Sequence, residues 1–101
     1  MSPRLIIADQ AEADLEEIAA YIAQDNPRAA ARVVAAILAK CDLIALQPEL
    51  YPAREDIAPG FRRALARPYG VWFHILENGA VRIERIVHGA RDLGALLGEE
   101  T

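Results

Sequence analysis

The sequence predicts an α+β fold: one N-terminal strand, a helical hairpin, then a three-stranded antiparallel meander. Three observations carry this. Apolar residues recur at helical spacing through the first half of the chain and alternate singly over 71–87. Asp25-Asn26-Pro27 punctuates the helical half. Glu77-Asn78-Gly79 punctuates the alternating half.

Taken in order, the short apolar run Leu5-Ile6-Ile7 reads as a first strand over 4–8. Asp9, with Glu12 three residues on, reads as a helix cap and its capping-box partner. Ala11, Leu15, Ile18, Ala19 and Ile22 then form one stripe, which predicts a helix over about 10–24 with Tyr21 at the stripe's edge. Pro27 suits the first turn of a second helix over 27–46, with Asn26 as its cap. Its stripe is Ala30, Val33, Val34, Ile37, Leu38, Cys41 and Ile44, and its alanines would let the two helices approach closely. Two amphipathic helices joined so tightly must fold back on each other. Residues 47–60, rich in proline, read as a loop.

The sheet is expected over 61–88, with Phe61–Arg67 as the first meander strand. A two-residue Asn78-Gly79 turn would pair Ile75 with Arg82 and mix core with solvent on one face. A three-residue loop, Glu77-Asn78-Gly79, pairs Ile75 with Val81 and Phe73 with Ile83, and puts Gly79 at the left-handed position. The inward face is then Val71, Phe73, Ile75, Val81, Ile83 and Val87, with Arg85 the one misfit. The outward face carries Trp72, His74, Leu76, Arg82, Glu84, Ile86 and His88. This mixture is a candidate binding surface unless a loop or the tail over 89–101 covers it.

The chain has 101 residues, 53% of them apolar, enough for one small core in a single domain over 1–101. One cysteine, Cys41, excludes an intramolecular disulfide, and the reading is a cytoplasmic protein. No apolar run is long enough for a membrane span. Net charge is −4, yet residues 61–92 hold six arginines against three acids. An acidic chain is a poor general binder of nucleic acid, so none is expected to bind the chain directly. A local arginine cluster suits an acidic peptide or a few phosphates. There is no phosphate loop, no metal-ligand spacing and no serine beyond Ser2, so no cofactor and no metal are expected. The chemistry that remains is metal-free ribonuclease action, with His88, Glu84 or His74 as acid and base and arginines on the phosphate.

The start AEADLEEIAAYIAQDNPRAA, the apolar run into Pro48, the strand segments FRRAL and PYGVWFHI, and the end VRIERIVHGARDL carry a resemblance. Together they resemble the RelE/ParE superfamily, toxins of bacterial toxin–antitoxin pairs, and its ParE branch more specifically. The resemblance implies a cytoplasmic toxin neutralised by a ParD-like, DNA-binding antitoxin, with DNA gyrase as the target poisoned. The alternative it implies is a ribosome-dependent mRNA endonuclease of the RelE type. Nucleases of that branch resemble each other in carrying several basic residues, usually lysines among them, and often a C-terminal tyrosine or histidine. This chain has one lysine, Lys40, and no tyrosine after Tyr69. The gyrase reading, without a catalytic residue, is therefore favoured. If the chain is a nuclease, His88, Arg62, Arg63 and Arg91 are the candidates. A third reading retains only antitoxin pairing. The residues expected to touch antitoxin or target are Arg62, Arg63, Trp72, His74, Arg82, Ile86, His88, Arg91 and Asp92. Glu84 departs from the family in standing where an apolar strand residue is usual.

Overall fold

The computed structural model describes residues 4–89. In chain order it has β1 (Leu5–Ile7), α1 (Asp9–Ala23), α2 (Pro27–Leu46), a 3-10 turn (Pro48–Leu50), β2 (Arg62–Ala66), β3 (Tyr69–Ile75) and β4 (Val81–His88). The α+β expectation holds. The three-stranded meander is joined by β1, which pairs in parallel with β4, so the sheet order is β1-β4-β3-β2. The two helices pack on one face. Ala11, Leu15, Ile37, Cys41 and Ile44 meet Ala64, Val71, Phe73, Val81, Ile83 and Ile86 in one buried cluster.

Local chemistry explains most element ends. Asn26 caps α2, its side-chain oxygen accepting from the Ala29 N–H at 3.1 Å, and Pro27 opens the helix. The first helix starts differently from expectation. Ala8, not Asp9, is its N-cap, and no side chain closes a capping box. The reason is that β1 runs directly into α1: the Ala8 N–H donates to the Ile83 carbonyl of β4 at 2.9 Å while its own carbonyl takes the Glu12 N–H. Asp9 and Glu12 instead sit in the first turn, where their charge favours the helix N-terminus. The small residues of α2 also divide differently. Ala30 is buried, but Ala31, Ala35 and Ala36 face outward.

The β3–β4 hairpin has the expected register, Ile75 opposite Val81 and Phe73 opposite Ile83. Leu76 and Ala80 close the three-residue loop, and Gly79 takes φ +85°, which disfavours any residue with a Cβ. Beyond Ile83 the expected alternation fails. Trp72 pairs with Arg85, so Glu84 is an extra residue, a β-bulge. One extra residue exchanges the faces of everything after it. Ile86, expected outward, is buried in the main core against the helices. Val87, expected inward, packs on the opposite face with Phe61 and Trp72.

Cys41 lies fully buried on the core side of α2. Burial, and secondarily the neighbouring Asp42 charge, push its thiol from 9.0 up to about 11. The folded value lies above the unfolded one. The thiol's contribution to stability is therefore present below about pH 9 and lost as pH rises toward 11. The expected result is a denaturant midpoint that falls over that window in the wild type and less in Cys41→Val. At pH 8 a thiol reagent should label the native chain far more slowly than the unfolded one.

Candidate functional site

Two regions hold the side chains that could meet another molecule. The first is the sheet face away from the helices. Residues 51–61 turn back across it. The Arg54 N–H donates to the Phe61 carbonyl at 2.7 Å, and Ala53 bridges to Arg62. Gly60, at φ +79°, donates its N–H to both Glu55 carboxylate oxygens at 3.2 Å. Ile57 and Ala58 then cover Phe61, Trp72 and Val87. Trp72 is 4% exposed and meets Phe61 edge-on at 6.1 Å. The guanidiniums of Arg54 and Arg63 lie 5.6 and 5.5 Å from its ring centroid. A paired carboxylate anchors the first: the bidentate Arg54–Asp56 bridge at 3.0 Å holds the Asp56 carboxyl below its usual range.

Beside Trp72 stands an ionisable cluster. His74 Nδ1 lies 3.0 Å from one Glu84 oxygen, and Arg82 Nε lies 3.4 Å from the other. The bulge at Glu84 aims that carboxylate here. Phe61 stacks on the imidazole at 4.2 Å between centroids. His74 Nε2 is buried, with no hydrogen-bond partner among the described residues. This arrangement suits an imidazole that donates from Nδ1 to Glu84. It does not present Nε2 to a substrate.

The second region is a cleft of about 590 Å³ between α1 and the end of β4, lined by Glu17, Ile18, Tyr21, Tyr69 and His88 among others. His88 meets Tyr69 edge-on at 5.7 Å. One wall is the pair of buried Asp14 and part-buried Arg85. Asp14 accepts from Arg85 Nε at 3.0 Å, from Arg85 Nη2 at 3.2 Å and from the Ile86 N–H at 2.9 Å.

The candidate residues therefore divide. Trp72 and Arg63 are brought together, as are His74, Glu84 and Arg82. Arg62 is turned away to donate to the Tyr51 carbonyl at 2.6 Å. Ile86 and Trp72 are buried within the chain itself, so neither stands exposed as a contact residue. Arg91 and Asp92 lie outside the described residues. His88 does not join Arg62 and Arg63. It is opposite Tyr69, whereas Arg62 and Arg63 are opposite Phe73 and Trp72. That is three to four strand positions along, roughly 10–13 Å, and two strands across. Sequence reasoning passed over Arg54, which sits in an aperiodic loop, and the Asp14–Arg85 pair. No group of three histidine, cysteine or acidic side chains suited to a metal occurs among the described residues. No helix among them is long and apolar enough to cross a membrane.

Comparison with known proteins supplies the family. The pattern of the ParE toxin of type II toxin–antitoxin systems, parDE, matches residues 5–93. The chain belongs to the ParE toxin family. A chain of the chromosomal ParDE toxin–antitoxin system from P. aeruginosa is similar at a TM-score of 0.72 and 24% identity, over 86% of this ParE-family chain and 96% of that one. A chain of the RelBE2 toxin–antitoxin complex from Mycobacterium tuberculosis is similar at a TM-score of 0.59 and 22% identity, over 87% and 99%. At these identities the two likenesses speak to the fold. No curated protein matches the chain.

Proposed function

We propose that this ParE-family chain is a cytoplasmic toxin that acts by binding DNA gyrase and trapping it on broken DNA, and that a ParD-like, DNA-binding antitoxin neutralises it. The observation that carries the binding mode of action is the separation, among the described residues, of His88 from Arg62 and Arg63. A metal-free ribonuclease needs a base, an acid and a cation around one phosphate. Here His88 lies at one end of the sheet and Arg62 and Arg63 at the other, while His74 Nε2 is turned inward under Gly60 and Phe61. The net charge of −4 argues the same way, since a ribosome-bound nuclease meets dense phosphate.

The antitoxin is read as an acidic, partly disordered segment that folds on the arginine rim of the covered sheet face. Arg54, Arg63 and Arg82 supply that rim, with His74 beside them, and Trp72 supports it from beneath. The test uses purified chain, gyrase and supercoiled plasmid. Linear DNA should accumulate when the reaction is stopped with detergent, and His88→Ala should poison as well as wild type. Intact plasmid, together with messages cut in translating ribosomes and lost cutting in His88→Ala, would establish the RelE-type endonuclease instead.

A further inference from the structure

The outward face of α2 sets large apolar side chains among its charges. Leu46 is 62% exposed, Leu43 53% and Leu38 38%. The line of this face is Arg28, Arg32, Ala35, Ala39, Asp42 and Leu46, all exposed. Their spacing alternates four and three residues, the seam of a helix pair. The charge along it is divided: two arginines at the N-terminal end, one aspartate toward the other.

We propose that this face of α2 binds the same face of a second copy of the chain, antiparallel, about a two-fold axis level with residue 37. The divided charge selects this occupant. An isologous contact places each residue opposite a fixed counterpart. In this register Arg32 of each copy faces Asp42 of the other, so the ion pair forms twice. Ala35 faces Ala39, and these small side chains let the helix axes come close. Arg28 faces Leu46, at the carbonyl end of a helix that has no basic residue in its own last turn. Leu38 and Leu43 flank the seam and lose their exposure to water. A parallel pair would set arginine against arginine and aspartate against aspartate.

Sedimentation of the full-length chain over a wide concentration range tests this, with charge swaps at the seam. Arg32→Asp and Asp42→Arg each put like charges opposite one another twice. Each should raise the dimer dissociation constant by about tenfold or more. Combining both swaps restores opposite signs and should restore the dimer, which also shows that the single variants fold. A wild-type chain that stays monomeric throughout would overturn the proposal. So would single swaps that dimerise like wild type, or swaps that weaken cognate antitoxin binding and leave self-association unchanged.

Discussion

Asp14→Ala is expected to lower the stability of the fold by about 3 kcal/mol, because it takes the bidentate carboxylate from a largely buried guanidinium and leaves the buried Ile86 N–H without its acceptor. Asp14 is 6% exposed and the Arg85 side chain 12%. The pair is bidentate, and the same carboxylate also satisfies the Ile86 N–H just past the bulge. One residue therefore ties α1 to β4 where the strand changes face. A loss of that size is a large part of the stability of a domain this small. Removing both charges together, as Asp14→Leu with Arg85→Met, should recover part of it, since the cost of desolvating the guanidinium disappears with it. Urea unfolding with an unchanged slope measures both. A loss below about 1 kcal/mol for Asp14→Ala would place the pair with ordinary surface bridges.

Trp72→Ala is expected to cost a similar amount, about 3 kcal/mol, by emptying the second core. Trp72 holds Phe61 and Val87, and with them Ile57 and Ala58 of the covering loop. Trp72→Phe should cost less, because an edge-on aromatic contact with Phe61 survives. The companion change Arg54→Ala removes the bridge to Asp56 and one of the two guanidiniums over Trp72, and should cost much less than Trp72→Ala. Equilibrium unfolding of the three variants measures this. Unchanged stability in Trp72→Ala, with lost antitoxin affinity, would make Trp72 a contact residue after all.

These two sites mark where the sequence was and was not legible. The register of the β3–β4 hairpin was legible because Val71, Phe73 and Ile75 can meet Val81 and Ile83 in one phase only. Asn26-Pro27 likewise allowed one reading. The bulge was harder. Two consecutive charges, Glu84 and Arg85, stand between Ile83 and the apolar pair Ile86-Val87. Strict alternation then forces Arg85 inward, and that misfit was the signal that the alternation itself breaks. Asp14 had a similar signal. It lies three residues after Ala11 and beside Leu15, on the apolar stripe, where a lone acid needs a buried partner. Each misfit explains the other, but the pairing spans 71 positions and no local pattern reports it. The cover over Trp72 was illegible for another reason. Residues 51–61 have no periodicity, and their course is set by backbone bonds from Arg54 and Arg63 to Phe61 and Pro52. Nor could three residues of β1 announce a parallel partner at the far end of the chain.

The most direct test of toxic action by gyrase binding is made in a bacterial cell. The chain is expressed alone under tight control, and DNA and protein synthesis are pulse-labelled separately. The predicted result is an early stop in DNA synthesis with a DNA-damage response, while protein synthesis continues at first. An early stop in protein synthesis with cleaved messages, and DNA synthesis still running, would contradict it.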